Sequence, residues 1–239
     1  MRTSTARLAR LRPYRHPGAI ASTVAVIALL GFGASATAAG PIESDPAVDS
    51  ARQGLATYLA AQPAIGASDV EFEVCPVMTE SDLVSPLVFF GPVGTFDTSA
   101  GEIATDAGSG DFAELIGVTC EIERTVAPQG GVLAAGVAVL DVAGHGDYTS
   151  AINTLPVTGD GSSPLGGTMR GYCESSSDDH TCYQFWMLDG FVVGMFVGFE
   201  QPDSQKDPLG AVGQILSTQV PTLLANAAAL SSAPSDPMP

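Results

Sequence analysis

Cysteine is the residue type in this chain with the most definite chemistry, and the chain has four: Cys75, Cys120, Cys173 and Cys182. Metal and redox sites usually hold close pairs such as Cys-x-x-Cys, and no such pair occurs here. An even number in an exported chain indicates disulfides, and four cysteines permit three pairings. Cys173 and Cys182 flank a polar segment between two strands predicted to be neighbours. We therefore expect a Cys173–Cys182 bridge, which leaves Cys75 with Cys120.

His145 and His180 are the histidines that follow the first 40 residues, and both have carboxylates nearby. Asp141, His145 and Asp147 carry metal-ligand side chains at a strand end and in a loop. The glycines on either side of His145 favour a turn, and Asp147 is placed to cap a helix, so we interpret them as structural. His180 follows two aspartates at the predicted tip of the disulfide hairpin, where charged residues keep a loop hydrated. The sequence predicts no metal site and no cofactor.

A calcium-binding pattern is incomplete in the segment 106–117. An EF-hand loop beginning at Asp106 would need a bidentate Glu at its last position, where Gly117 stands. The chain also has no Gly-x-Ser-x-Gly elbow, no His-Glu-x-x-His pair and no phosphate-binding glycine loop. We predict no catalytic residues and a protein that is not an enzyme. The alternative is a secreted hydrolase that uses carboxylates or a single histidine.

Aromatic side chains are concentrated in the last third of the chain, in segments with strand-like alternation. They are Tyr172, Tyr183, Phe185, Trp186, Phe191, Phe196 and Phe199. Such residues usually pack in a core. A sheet face left partly uncovered would instead form an apolar groove, which is the usual form of a small-ligand or peptide site. The sequence alone assigns no ligand-binding residue.

The first 39 residues are typical of a cleavable Sec-type signal peptide. Five arginines lie before residue 16, an apolar run spans 19–32, and small residues occupy 36–39. The apolar run is short for a membrane span, and the small residues predict cleavage after Ala38 or Ala39. We therefore expect a secreted, extracellular or cell-envelope protein whose cysteines are oxidised.

The chain beyond the leader is strongly acidic. It has 26 acidic residues and four strong bases, Arg52, Arg124, Arg170 and Lys206, a balance of −22. Such a surface repels nucleic acid and anionic lipid head groups. No apolar stretch after the leader is long enough to span a membrane. The predicted partner is an unknown small molecule, peptide or envelope component, and not a nucleic acid.

The first half of the domain predicts both helices and strands. Asp45-Pro46 is a helix start, because Asp caps free N–H groups and Pro suits the first helical position. Apolar residues continue at helical spacing to residue 61. The further predictions are a strand over 70–75, a short helix that starts at Thr79 and is limited by Pro86, a loop over 91–113, and strands over 115–124 and 132–142.

The second half predicts a short helix capped by Asp147, a polar loop over 158–167 and a meander of strands over 168–173, 181–188 and 191–199. Asp189-Gly190 favours a type I′ hairpin turn, in which both central residues have positive φ. That turn sets the pairs Leu188 with Phe191, Trp186 with Val193, and Phe185 with Gly194. The Phe185 ring would then fill the space left by the glycine, on the sheet face beneath the terminal helices. Asp207-Pro208 begins a final helix, which Pro221 is predicted to kink.

These elements predict an α+β fold with a twisted antiparallel sheet of about five strands, packed on the N- and C-terminal helices and stapled by two disulfides. The segment 191–199 is apolar on both faces, so we place it centrally under a helix. The expected organisation is a signal peptide over 1–39, a disordered start over 40–45, a single domain over 46–230 and a disordered Pro/Ser tail over 231–239.

The order of cysteines and elements also supports a resemblance. The segment 75–83 opens a helix, 117–120 lies on the following strand, the meander ends at 191–199 and a helix from Pro208 closes the domain. This order is similar to that of a broad group of actinobacterial exported proteins and lipoproteins of unknown function. The group resembles the extracellular sensor domains of mycobacterial-type serine/threonine kinases. The resemblance implies helices packed on an antiparallel sheet with a cleft, and it brings no catalytic residues.

One departure from that group is the lack of a lipidation cysteine after the small residues of the leader. The sequence therefore predicts a secreted or cell-envelope-associated, non-catalytic binding or sensor-like module of unknown ligand. Besides the hydrolase, a structural wall-associated acidic protein is the other alternative.

Overall fold

The computed structural model describes residues 45–61, 75–91, 95–103, 116–126, 131–144, 146–160, 165–175, 179–200 and 207–232. All of them belong to one compact unit, Gly40–Pro239. The helices are α1 (Pro46–Ala61), α2 (Glu80–Val84), α3 (Gly146–Thr154) and α4 (Pro208–Ala229), with 3₁₀ helices at Ser85–Phe90 and Leu230–Ser232. The strands are β1 (Thr95–Ile103), β2 (Ile116–Val126), β3 (Gly131–Asp141), β4 (Val157–Asp160), β5 (Thr168–Ser175), β6 (Asp179–Leu188) and β7 (Phe191–Glu200).

These strands form one antiparallel sheet of seven strands in the order β1-β2-β3-β7-β6-β5-β4. Two meanders, β1–β3 and β4–β7, are joined because β3 pairs with β7 from Gly131 opposite Glu200 to Asp141 opposite Phe191. The predicted α+β class with an antiparallel sheet is confirmed, and β7 lies at its centre as expected. The number of strands is larger than the predicted five.

The additional strands lie at the two edges of the sheet. β1 falls within 91–113 and β4 begins next to 158–167, so the loop predictions for those segments were wrong in part. Edge strands need no apolar alternation on both faces. The Thr-, Ser- and Gly-rich sequences of these two strands therefore lack the pattern from which a strand is predicted. The predicted strand 70–75 lies outside the described residues except for Cys75, which is in no strand. The leader, residues 40–44 and the tail from 233 also lie outside.

The β6–β7 hairpin has the predicted turn and register. Asp189 and Gly190 have φ of 51° and 74°, as a type I′ turn requires. Leu188 pairs with Phe191, Trp186 with Val193, and Phe185 with Gly194. A local dipeptide therefore fixes which side chains of the two most apolar strands share a face.

The first face of the sheet is covered by α1 and α4. Val48 and Leu55 of α1 and Leu216 of α4 are fully buried in one core with side chains of β2, β3, β6 and β7. Each such side chain stabilises the fold by about 1.5–3 kcal/mol relative to exposure. The two helices approach closely at Gly54, where a Cβ would overlap the carbonyl oxygen of Ala227. The predicted packing of the terminal helices on one face is confirmed.

The helix ends follow the capping chemistry that their sequences predict. Thr79 Oγ1 accepts a hydrogen bond from Asp82 N at 3.1 Å, and the α-helix then tightens into the 3₁₀ helix that contains Pro86. Asp207 accepts from the N–H three residues on at 2.9 Å, which caps α4. That helix continues through Pro221.

The second face of the sheet is partly covered by α3. Ile152 of α3 packs in a smaller core with Leu140, Phe185 and Val192. Phe185 was expected beneath the terminal helices, and that placement was wrong: β6 is apolar on both faces, and Phe185 belongs to the face opposite Trp186. The expected cap at Asp147 was also wrong, because α3 already begins at Gly146.

Both predicted disulfides are confirmed. Cys75–Cys120 spans 45 residues and ties the segment before α2 to β2. Cys173–Cys182 spans nine residues and joins directly paired positions of β5 and β6. The second bridge staples the hairpin that carries several of the aromatic residues.

Candidate binding surface

The predicted aromatic cluster divides between the two faces of the sheet. Three of its rings lie buried beneath α1 and α4: Trp186, Phe191 and Phe199. The others lie on the second face, where Tyr183 and Phe185 are buried while Tyr172 and Phe196 are only half-buried. The core interpretation therefore holds for most of the cluster. The partly exposed members, Tyr172 and Phe196, both lie on the second face.

Tyr172, Tyr183 and Phe196 form a row across β5, β6 and β7, at positions that pair directly. Tyr172 and Tyr183 stack with ring centroids 4.9 Å apart and planes at 18°, and Phe196 follows at 6.0 Å and 33°. Rings stacked in this way cover one another's faces. The hydroxyl of Tyr183 donates to Glu174 Oε1 at 2.9 Å, and Phe196 occupies the space above Gly136.

Beside this row, α3 lies against β5. The α3–β5 seam is our name for the surface where Tyr148 and Leu155 meet Arg170 and Tyr172. Arg170 Nη1 donates to the carbonyl oxygen of Leu155 at 2.7 Å, just beyond the carboxyl end of α3. A cation there is favoured by the helix dipole. Burial, with a further contribution from Tyr172, raises the pKa of Tyr148 from 10.0 to about 12.

The α3–β5 seam contains hydrogen-bond donors without acceptors. Arg170 Nε is buried and has no hydrogen-bond partner, and it is the one side-chain nitrogen or oxygen of this kind among the described residues. Within the same residues Arg170 Nη2 and the Tyr148 hydroxyl also make no hydrogen bond. A buried polar group usually has a partner, so this seam departs from the normal pattern.

The other described arginines are neutralised by carboxylates. Arg52 donates to Asp141 at 2.9 Å and to Asp49 at 3.0 Å. Its third contact, at 2.9 Å, is the carbonyl oxygen of Asp189. Arg124 lies 2.6 Å from a carboxylate oxygen of Glu200. Arg170 is therefore the one described arginine whose charge has no carboxylate beside it.

The histidine candidates do not assemble into a site. His180 lies on β6 rather than in an exposed turn, and its ring stacks on Phe199 at 6.0 Å. Ser175 Oγ lies 2.6 Å from Nδ1 of His180. Within the described residues Nε2 has no hydrogen-bond partner, so the third group that orients a catalytic histidine is not seen there. The pair is a Ser–His contact on neighbouring strands.

The remaining polar candidates are structural or fall outside the description. Asp141 accepts from Arg52 and from the N–H of Ala143, which uses both carboxylate oxygens. His145, Asp178 and the segment 106–115 lie outside the described residues, as does the side chain of Asp147. No group of three or more metal-ligating side chains occurs in the described ranges.

Sequence reasoning counted Arg170 only as a base. A usable signal was present, because Arg170 and Tyr172 lie two residues apart on a strand and must share a face. What the sequence could not give is the hydrogen-bond partner, the carbonyl oxygen of Leu155 just beyond the end of α3. Val157, opposite Arg170 on β4, is 51% exposed and adds an apolar surface at the edge of the seam.

Comparison with known proteins gives no match to a family model, to a curated protein or to a solved structure. Among the described helices, none combines the length and apolar character needed to cross a membrane.

Proposed function

We propose that this chain is a secreted or cell-envelope-associated module that binds a ligand without transforming it. The observation that carries the proposal is the α3–β5 seam. There Arg170, whose Nε has no partner, lies two residues from the half-buried Tyr172 on β5, and Tyr148 of α3 interacts electrostatically with Tyr172. A few convergent polar groups next to apolar surface are the usual composition of a ligand site.

Two features support export as part of this proposal. The first 39 residues have the charge and hydropathy pattern of a cleavable signal peptide. Both cysteine pairs are bridged, and disulfides persist in oxidising compartments outside the cytosol.

The arrangement of positive charge restricts the class of partner that the domain can bind. Nucleic-acid binding relies on several lysines and arginines free to neutralise phosphates. In the described domain Arg52 and Arg124 are committed to internal carboxylates, and Arg170 is a single remaining cation. We therefore propose a small molecule, a peptide or an envelope component as the partner.

Native mass spectrometry of the protein secreted into culture fluid tests this function. We expect a discrete adduct that leaves on denaturation and an N-terminus at residue 39 or 40. The matched variant is Arg170→Gln, which should be secreted and folded but lack the adduct. Conversion of the adduct into a smaller product during incubation would identify an enzyme. A secreted protein that retains nothing even from concentrated culture fluid would also overturn the proposal.

The hydrolase alternative rests on one observation, the 2.6 Å contact between Ser175 Oγ and His180 Nδ1. A general base at this distance can activate a hydroxyl. Hydrolysis of p-nitrophenyl acetate by the oxidised protein and by Ser175→Ala tests it directly. We expect equal, background rates, because His180 is held by stacking on Phe199 with no orienting carboxylate described. A rate that falls to background only in Ser175→Ala would favour the hydrolase.

A further inference from the structure

We propose that the α3–β5 seam binds a carboxylate carried on an apolar body, held by the free edge of the Arg170 guanidinium. This inference rests on the proposed binding function and names the chemical class of the ligand.

The geometry of the guanidinium defines the free edge. Nη1 is held by the Leu155 carbonyl oxygen at 2.7 Å, which fixes the orientation of the group. The remaining edge consists of Nε and Nη2, neither of which has a partner in the described chain. Nε is shielded from solvent, so a ligand that pairs with both groups must displace the side chains that cover it. Two parallel N–H groups on one edge match the two oxygens of a carboxylate, which is the strongest geometry available to arginine.

Arg170 brings only donors to the seam, and the Tyr148 hydroxyl can both donate and accept. Tyr148 lies in the first turn of α3, and Leu155 follows the end of that helix seven residues later. Its hydroxyl makes no hydrogen bond in the described residues. Of the acceptors nearby, the Leu155 oxygen already accepts from Arg170, and Glu174 Oε1 accepts from Tyr183. Because the guanidinium offers only donors and a positive charge, a ligand that complements it must bring acceptors, and an ammonium group would be repelled.

A carboxylate fits the charges better than a phosphate does. Arg170 is one cation in a chain whose balance after the leader is −22, so a dianion would be repelled more strongly than a monoanion. Phosphate sites commonly supply several donors of positive or backbone origin, and the seam offers a single guanidinium.

The surroundings of the edge favour an apolar ligand body. Phe185, opposite Arg170 on β6, is buried, and Val157, opposite Arg170 on β4, is 51% exposed. Leu155 and Tyr172 are partly buried and pack against the smaller core on the same face of the sheet. Burial of apolar surface would add to the charge-assisted hydrogen bonds and would separate aromatic or aliphatic carboxylates from short polar ones.

Benzoate is a suitable probe, with benzamide as the neutral analogue and inorganic phosphate and benzylamine as charge controls. Titration of the oxidised, secreted protein should show benzoate binding at least about tenfold tighter than the three controls, since each 1.4 kcal/mol is a factor of ten. The buried Nε–H of Arg170 gives a second readout. Its ¹H–¹⁵N resonance should move downfield when benzoate binds.

Three variants test the assignment. Arg170→Gln should weaken benzoate binding by about tenfold or more, and Arg170→Lys should restore only part of it, because lysine keeps the charge but not the paired donors. Tyr148→Phe should weaken binding less than Arg170→Gln does. Thermal melts of each variant without ligand establish that the fold is retained.

The outcomes separate the two proposals. Benzoate binding unchanged in a folded Arg170→Gln protein, or benzamide or phosphate binding as tightly as benzoate, would overturn the carboxylate assignment. If the secreted protein still carries an adduct in that case, the binding function stands with a different ligand. If it carries none and binds nothing from culture fluid, the binding function fails as well.

Discussion

The ring of Phe185 on β6 lies over Gly194 on β7. A Cβ on Gly194 would be 3.2 Å from Cδ1 of that ring and 3.4 Å from Cε1, so the glycine provides the space that the ring fills. The two residues pair directly in the hairpin. Phe185 belongs to the smaller core beneath α3, on the face that also carries the α3–β5 seam.

Phe185→Ala should lower the free energy of unfolding by about 3–5 kcal/mol, because it leaves a cavity above a glycine that has no side chain to fill it. Phe89→Ala is the matched control, since that ring is 60% exposed and should cost about 1 kcal/mol or less. Urea denaturation of both variants measures the difference. Equal costs would mean that the Phe185 ring is not part of a packed core.

Arg52→Met should destabilise the fold by about 1–3 kcal/mol, since it leaves Asp141 and the Asp189 carbonyl without their charged donor. The Asp141 side chain is 11% exposed and gains little hydration in return. Asp49→Ala removes the half-exposed partner of the same arginine and should cost about 0.5 kcal/mol. Denaturation curves in which Asp49→Ala is the more damaging change would contradict this account of how α1 is held.

Removal of the two disulfides should have unequal effects. In the loop-entropy model, replacing Cys75 and Cys120 by Ala costs about 4 kcal/mol, and replacing Cys173 and Cys182 costs about 2.7 kcal/mol, because the second bridge closes a shorter loop. Non-reducing peptide mapping verifies the remaining bridge in each variant, and urea denaturation gives the free energies. A larger loss from the hairpin pair would show that the loop-length argument does not govern this domain.

Tyr148 should make stability fall at alkaline pH. Its pKa is raised from 10.0 to about 12 in the folded protein, so above about pH 10 the unfolded state loses the proton first and is favoured. The loss accumulates to about 2–3 kcal/mol by pH 12. Tyr148→Phe should remove this part of the decline, as measured by denaturation at pH 8, 10 and 11.

Tyr58→Phe is the control for that series. Burial also raises the pKa of Tyr58, but its ring is less buried and its contribution should be smaller. A decline with pH that is the same in wild type and Tyr148→Phe would place the alkaline sensitivity elsewhere.

Local sequence signals were sufficient for several parts of this fold. Asp189-Gly190 fixed a hairpin register, and Asp45, Thr79 and Asp207 marked helix starts, since each of these effects operates within a few residues. The disulfide pairing followed once Cys173 and Cys182 were placed on neighbouring strands.

The predictions that were wrong concern features that depend on distant parts of the chain. Alternation along β6 separates Phe185 from Trp186 but cannot say which face α1 and α4 cover, because both faces are apolar. β1 pairs only with β2 in the described sheet, and an edge strand can be polar without penalty. The unpartnered state of Arg170 depends on how α3 packs, which no local pattern records.

The attachment of α1 has a consequence for the order of folding. Asp45 N donates to Asp189 Oδ2 at 3.3 Å across 144 positions, and Arg52 reaches the Asp189 carbonyl across 137. These two contacts of the start of the domain can therefore form only after the β6–β7 hairpin has been synthesised. Contacts of such long range slow folding. The core that buries Val48 and Leu55 also contains side chains of α4, so during synthesis these two residues remain incompletely buried until the last helix is made.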